Sequence, residues 1–262
     1  MKINFTFGLA SLIFMILLSC HKEKDIIPEP VPSELVRLKE VLKYTSLDAK
    51  EPMGIEEQYE YNNLGLISKK SYYFYGTGPL KHDLYEYNSR EQLIQIKHYY
   101  GADTLLNAAF YQSNSFTYSR EGKKVKETIE QGDGYVKEYN LFFYTDGRLS
   151  RIENYSNGVN QLVPLMYTVF EFDDSGQPVR EVLYWGSTNV PFKWTINTFS
   201  NRLNVKTVIY KDENFEDPEN MIRTFKRTFD KNKNLRILEI FQGPASTQVD
   251  NYTVFKYVYF GD

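Results

Sequence analysis

Apolar and polar positions alternate along most of this chain in short runs, and one spacing keeps returning. An apolar residue is followed three places on by a second, and three further on by an aromatic: Leu38, Val41, Tyr44; Leu93, Ile96, Tyr99; Leu149, Ile152, Tyr155. Val179, Val182, Trp185 and Leu235, Leu238, Phe241 keep the spacing with other aromatics. Val125-x-x-Thr128 and Val205-x-x-Val208 are weaker copies, and after Leu66 the second place holds Lys69. The mean separation of the leading positions is about 28 residues, a period that marks a repeat architecture.

A second element precedes most of these. It is aromatic-x-aromatic followed by a polar turn: Tyr59-Glu60-Tyr61-Asn62, Tyr85-Glu86-Tyr87-Asn88, Phe116-Thr117-Tyr118-Ser119, Phe142-Phe143-Tyr144-Thr145-Asp146-Gly147 and Phe170-Glu171-Phe172-Asp173. Phe199-Ser200-Asn201 and Phe229-Asp230-Lys231-Asn232 are later forms with one aromatic. Tyr257 stands at the same place near the end, with no return half-unit after it. Aromatics two apart share one face of a strand. Asn, Asp and Gly then supply positive-φ positions and side-chain-to-backbone bonds for a tight turn. Each unit therefore predicts a β-hairpin. The first two apolar positions of the return strand are three apart and cannot share a face in a regular strand, so a bulge or twist is predicted there, or a strand apolar on both faces. Leu35, Leu38, Val41 and Leu42 also fit a helix over 33–44; the repeat register assigns a strand.

This series resembles the YD-repeat (Rhs-type) family, whose unit centres on Tyr-x-Tyr-Asp-x-x-Gly-Arg-Leu. The nearest copies are Phe170 to Gly176, Tyr59 to Leu66 and Tyr144-Thr145-Asp146-Gly147-Arg148-Leu149. The resemblance covers roughly residues 36 to 262, with Asn, Ser or Thr often in the Asp place. It implies a β-repeat domain and no shared biochemical activity.

The N-terminus has a different pattern. Lys2 precedes an almost unbroken apolar run from Phe5 to Leu18, too short for a stable membrane span, which takes about 20 residues. Its layout is that of a secretory signal. Leu17-Leu18-Ser19-Cys20 resembles the lipobox of bacterial lipoproteins, which implies cleavage before Cys20 and acylation of its thiol. Acyl chains each contribute about 0.8 kcal/mol per buried CH₂, so more than one anchors firmly. Residues 21–33 contain Pro28, Pro30 and Pro32 and read as a tether of up to roughly 40 Å. Its charged start, Lys22-Glu23-Lys24-Asp25, resembles the surface-export signal of Bacteroidetes lipoproteins without that signal's unbroken acidic run. The expected organisation is a signal peptide over 1–19, lipidated Cys20 and tether over 20–33, and a β-repeat domain over 34–262.

Composition narrows the function classes. The chain has 31 basic and 34 acidic residues, and no basic patch to favour nucleic acid. Its 22 tyrosines and 18 phenylalanines suit pleated, half-buried surfaces. Cys20 is the lone cysteine, which excludes intramolecular disulfides and, once acylated, thiol catalysis. His82 and His98 lack metal-ligand spacing. No nucleophile elbow or phosphate-cradling loop appears, and no cofactor is expected. Glu127, Glu153, Glu181 and Glu239 sit near the middle of return strands, where stacked repeats could line them up as an acidic row. Asp212 to Asn220 is an acidic loop without EF-hand spacing. Tyr184, Trp185, Phe192 and Trp194 flank one loop and could stack on sugar rings if exposed.

The expected fold is all-β: an antiparallel meander of about eight hairpins, twisted or curled into an open roll or half-barrel, because wide flat sheets are unusual. The expected function is a non-catalytic cell-envelope lipoprotein, held at the membrane through Cys20, that binds a carbohydrate or protein or acts as a scaffold. A glycan-binding or glycan-processing surface lipoprotein is the alternative. An immunity or toxin-associated role rests on the family resemblance alone.

Overall fold

The computed structural model describes residues 37–74, 78–101, 109–157, 163–243 and 252–260. Its strands follow one another as β1 (Leu38–Tyr44), β2 (Gly54–Tyr61), β3 (Ile67–Tyr73), β4 (Pro79–Tyr87), β5 (Leu93–Tyr100), β6 (Ala109–Tyr118), β7 (Lys124–Gln131) and β8 (Val136–Thr145). The series continues with β9 (Arg148–Ser156), β10 (Met166–Phe172), β11 (Pro178–Trp185), β12 (Pro191–Ser200), β13 (Leu203–Tyr210), β14 (Met221–Phe229), β15 (Leu235–Gln242) and β16 (Tyr252–Tyr259). Each pairs antiparallel with the next. The strand reading of Leu38 to Tyr44 holds against the helical one. The signal peptide, Cys20 and the tether lie outside the described residues.

The repeat acts locally in three ways. First, a polar residue opens each longer turn and accepts from backbone further on. Asn62 Oδ1 takes the N–H groups of Leu64 and Leu66, and Asp230 Oδ1 those of Asn232 and Asn234. The fourth turn residue is left-handed: Gly65, Gly122 and Gly176 at φ 81°, 84° and 78°. Glu91 and Lys233 take the same conformation at 61° and 66°, which costs an L-residue roughly 1–2 kcal/mol. Two shorter turns, Asp146-Gly147 and Asn201-Arg202, have positive φ at both residues, the geometry that matches strand twist.

Second, the return strand begins with a bulge, as the spacing of three predicts. Leu38 faces Tyr259 while Glu40 faces Val258, leaving Lys39 out. Ser68, Ile94, Val125, Val179, Val205 and Arg236 are displaced in the same way. The extra residue returns Val41 to the face of Leu38, Ile96 to that of Leu93 and Leu238 to that of Leu235, whereas in the units led by Val125, Val179 and Val205 the leading residue is itself displaced and Thr128, Val182 and Val208 face the other way.

Third, the second aromatic of the unit is a latch. The hydroxyls of Tyr61, Tyr87, Tyr118, Tyr144 and Tyr259 donate to the carbonyls of Leu38, Ile67, Leu93, Lys124 and Leu235, at 2.7, 2.9, 2.7, 2.9 and 2.8 Å. Each bond ties one hairpin to the first residue of the preceding return strand. Phe172 cannot donate; it keeps only the cation over its ring, Arg148 at 5.8 Å, a contact that latched Tyr61 and Tyr259 also make with Arg37 and Arg236.

The meander does not stay open. β16 pairs with β1 from Leu38–Tyr259 to Tyr44–Val254, and the sheet closes into a barrel, where an open roll or half-barrel was expected. The reason lies in the first and last strands. Among the described residues, Tyr257-Val258-Tyr259 has the form of a front half and Leu38-x-x-Val41 that of a return half. Phe260 N donates to Arg37 O at 2.9 Å, the same bond that Asn62 N makes to Leu66 O at 2.8 Å in an intact turn. The seam is therefore a hairpin whose turn is cut, and β16 and β1 supply its halves. Closure also removes the free sheet edges that an open roll would expose.

Candidate functional site

Directly paired residues share a face, so the registers trace two continuous walls around the barrel. One carries Glu60, Glu86, Lys126, Glu171, Lys206 and Lys226, all exposed; this is the outer wall. The other carries Tyr59, Tyr85, Phe116, Phe142, Phe170, Phe225 and Tyr257, each half-buried; this is the inner wall. Where a unit carries two aromatics, the first thus points into a lumen that is not filled like a packed core.

A belt of polar side chains crosses the inner wall from β3 to β9. Tyr72 donates to Asp83 Oδ2 at 2.7 Å, and His98 Nδ1 lies 2.6 Å from Asp83 Oδ1. His98 Nε2 lies 3.3 Å from Asn114 Oδ1, and Asn114 Nδ2 donates to Glu127 Oε1 at 2.9 Å. Asn140 donates to the other Glu127 oxygen at 3.1 Å, and Asn154 donates to Asn140 at 2.9 Å. Burial works to raise the Asp83 pKa. The hydrogen bonds of His98 and Tyr72 outweigh it, and the carboxyl lies below its ordinary range. Burial pushes Tyr59 and Tyr72 far above the ordinary phenol value, helped by the carboxylates of Glu57 and Asp83 that their hydroxyls meet. Both oxygens of Asp83 and of Glu127 have hydrogen-bond partners.

The belt breaks in character between β11 and β14. In two units the first aromatic place holds a polar residue: Asn197 in β12 and Arg227 in β14. Asn197 donates to Glu181 Oε1 at 3.2 Å and accepts from Thr207 at 2.8 Å. Arg227 Nη1 donates to Thr207 Oγ1 at 2.9 Å and Asn204 Oδ1 at 3.2 Å. The sequence does mark these places: they are the two units with a single aromatic, Phe199 and Phe229. Only the register shows that their substitutes face the lumen.

The residues singled out from sequence fall in several places. Glu127 and Glu181 face inward, but Glu153 and Glu239 face outward, so no acidic row forms. The bulge at the start of each return strand, together with the period-two alternation, puts neighbouring positions on opposite walls. His98 is on the inner wall, while His82 lies outside, stacked on Tyr99 with ring centres 5.0 Å apart. The acidic loop uses Asp212 and Asp217 as acceptors for its own backbone, and its Phe215 packs on Tyr210. The four aromatics around the 186–191 loop separate. Trp194 is 5% exposed, packed on the outer wall with Val182, Val208 and Tyr210, and Tyr184 stacks on Tyr167 at 4.8 Å. Trp185 is 45% exposed and stacks on Phe192 at 4.2 Å. Trp185 and Phe192 thus form a rim pair, and Trp194 belongs to the packing under it. Cys20 lies outside the described residues.

No protein-family model matches this chain, and no curated protein matches it. Similar solved structures include a TcdB2–TccC3 toxin-complex chain, 10% identical, with a TM-score of 0.30 over 80% of this chain and 13% of that one. Two porin-like proteins are also similar. That from Bacteroides uniformis is 7% identical with a TM-score of 0.36, over 85% of this chain and 97% of that one. That from Bacteroides vulgatus is 9% identical with a TM-score of 0.35, over 87% of this chain and all of that one, 100%. The chain spans only about a tenth of the toxin-complex chains it matches, 13% and 10%. Scores this low establish no common fold.

Proposed function

We propose that this protein is a non-catalytic envelope lipoprotein of the outer membrane, in which a lipid on Cys20 and the 21–33 tether hold a water-exposed YD-like barrel that works as a binding module. One observation carries the reading: the outer wall is charged around its circumference. Lys69, Lys97, Lys126, Arg151, Arg180, Lys226 and Lys256 project from strands on every side. Several pair with outer-wall carboxylates, as Lys69 with Glu60 at 3.3 Å and Arg151 with Glu153 at 2.7 Å. A Lys or Arg facing lipid at mid-bilayer costs about 2–4 kcal/mol, so a barrel spanning the membrane with this wall would be heavily penalised. Membrane attachment then falls to the acylated cysteine. The mutually satisfied carboxylates of the inner wall support a binding role over catalysis.

The test is release. A specific protease site placed between Pro32 and Ser33 should, once cut, move the barrel from the detergent phase to the aqueous phase in a Triton X-114 partition, leaving the lipid behind. A barrel that stays in the detergent phase after complete cleavage overturns the reading. The exposed Trp185–Phe192 pair favours the glycan-binding alternative, because sugar rings stack on accessible indoles. Loss of a glycan-array signal in Trp185→Ala would support it, and silence of the unaltered protein would remove it.

A further inference from the structure

Arg227, like Arg223, which donates to Gln242 Oε1 at 3.1 Å, is an inner-wall arginine that meets neutral oxygens, whereas two inner-wall lysines meet carboxylates. Lys70 meets Glu57 Oε1 at 2.7 Å and Lys43 lies 4.0 Å from Glu56. Arg227 has no ion pair among the described residues, and its hydrogen bonds there run from Nη1 alone to two neutral oxygens. Burial pulls its pKa below the ordinary arginine value, as expected of a cation held with too little compensating charge. Nε and Nη2 make no hydrogen bond among the described residues, the guanidinium lies 5.9 Å from the Phe225 ring centre, and an arginine edge of two donors fits a carboxylate in bidentate fashion.

A recess of mixed lining lies beside its strand partner Leu238. Arg227 pairs directly with Leu238, and Leu238 with Phe255. Leu238, Phe255, Val41 and Tyr257, with Glu56 and Glu57, line a cavity of about 160 Å³. A cavity of about 150 Å³ accepts one benzene ring. Glu57 is engaged by Lys70 and by the Tyr59 hydroxyl, but the charge of Glu56 and Glu57 disfavours an anionic group inside the recess, so a ligand carboxylate is accommodated only outside it, at Arg227, and a second one is disfavoured further.

We propose that the lumen binds a small monocarboxylate bearing one apolar ring, with the carboxylate on Arg227 and the ring between Leu238, Phe255 and Tyr257. This names the ligand class of the binding module and rests on that reading. The first probe is phenylacetate, titrated by calorimetry into the full chain reconstituted in nanodiscs. Phenylacetate should saturate one site. Phenylacetamide, which lacks the charge, and acetate, which lacks the ring, should bind at least ~tenfold more weakly, the scale of one charge-assisted contact. Arg227→Gln should weaken phenylacetate by about the same factor while leaving phenylacetamide unchanged. The probe comparison needs no variant, so a poorly folding Arg227→Gln does not blunt the test. Equal binding of phenylacetate and phenylacetamide, or no saturation up to ~20 mM, overturns the proposal. If the cleaved barrel partitions into water yet phenylacetate does not bind, the ligand class is wrong and the tethered module stands. A barrel retained in detergent overturns the module instead.

Discussion

Alkaline pH should unfold this barrel cooperatively. The perturbation is a rise from pH 9 to pH 12, and its targets are the inner-wall phenols. Tyr85 and Tyr257 are pushed up to about 12, first by burial and then by the nearby carboxylates of Asp83 and Glu57. An unfolded tyrosine titrates near 10. Between those values the folded chain holds protons that the unfolded chain releases. The stabilisation is therefore complete below about pH 10 and disappears as the pH rises through about 12. Two units correspond to roughly 3 kcal/mol per residue, or on the order of 5 kcal/mol for the pair. That is the low end of the whole stability of a domain. The latch residues Tyr61, Tyr87, Tyr118 and Tyr144 are also raised by burial, and ionisation would remove the proton they donate. The assay is paired: absorbance at about 295 nm counts phenolates while circular dichroism follows the sheet. Most inner-wall tyrosines should ionise in one step that coincides with loss of the sheet signal. A smooth titration of all 22 tyrosines near pH 10, with the sheet signal intact, would refute the reasoning.

Other outcomes follow from individual contacts. Tyr87→Phe removes the bond to the Ile67 carbonyl and should lower the urea-unfolding free energy by about 0.5–1.5 kcal/mol, while Phe172→Tyr, lacking an assigned acceptor, should gain less. Gly186→Ala would set a Cβ 1.6 Å from the Pro164 carbonyl oxygen, so it should destabilise by about 2 kcal/mol or more, whereas Gly78→Ala meets nothing within 4 Å and should be near neutral. Trp194→Ala should cost about 3–5 kcal/mol in denaturant unfolding and Trp185→Ala well under 1 kcal/mol, since only the first is buried. Asp83→Asn should show a stability deficit that is constant above about pH 4 and shrinks as the pH falls further, because the lowered native pKa protects the unaltered protein until its own carboxyl protonates.

What could be read from sequence was local. Turn residues at Asn62, Asn88 and Asp173, aromatics two apart, and apolar positions three apart each report on fewer than ten neighbouring residues. Their geometry follows from backbone sterics wherever the unit is copied. The hairpins and their bulges were legible for that reason. The latch was not, since Tyr61 and Phe172 look equivalent until a carbonyl from the preceding hairpin is brought within reach of one hydroxyl.

The walls of the barrel required the assembled sheet. Period-two alternation says that Glu127 and Thr128 point opposite ways, but which way is inward depends on the curvature that sixteen paired strands accumulate together. The bulges then shift the count, which is why Glu153 and Glu239 left the row expected of them. By itself, the sequence determined a chain of hairpin units, because those signals act through neighbouring backbone. Only the tertiary structure decided that the first and last strands join, that Arg227 is on the inner wall with no ion pair among the described residues and that Trp194 is covered. Each of these depends on contacts between residues distant in the chain, brought together by register rather than by proximity in sequence.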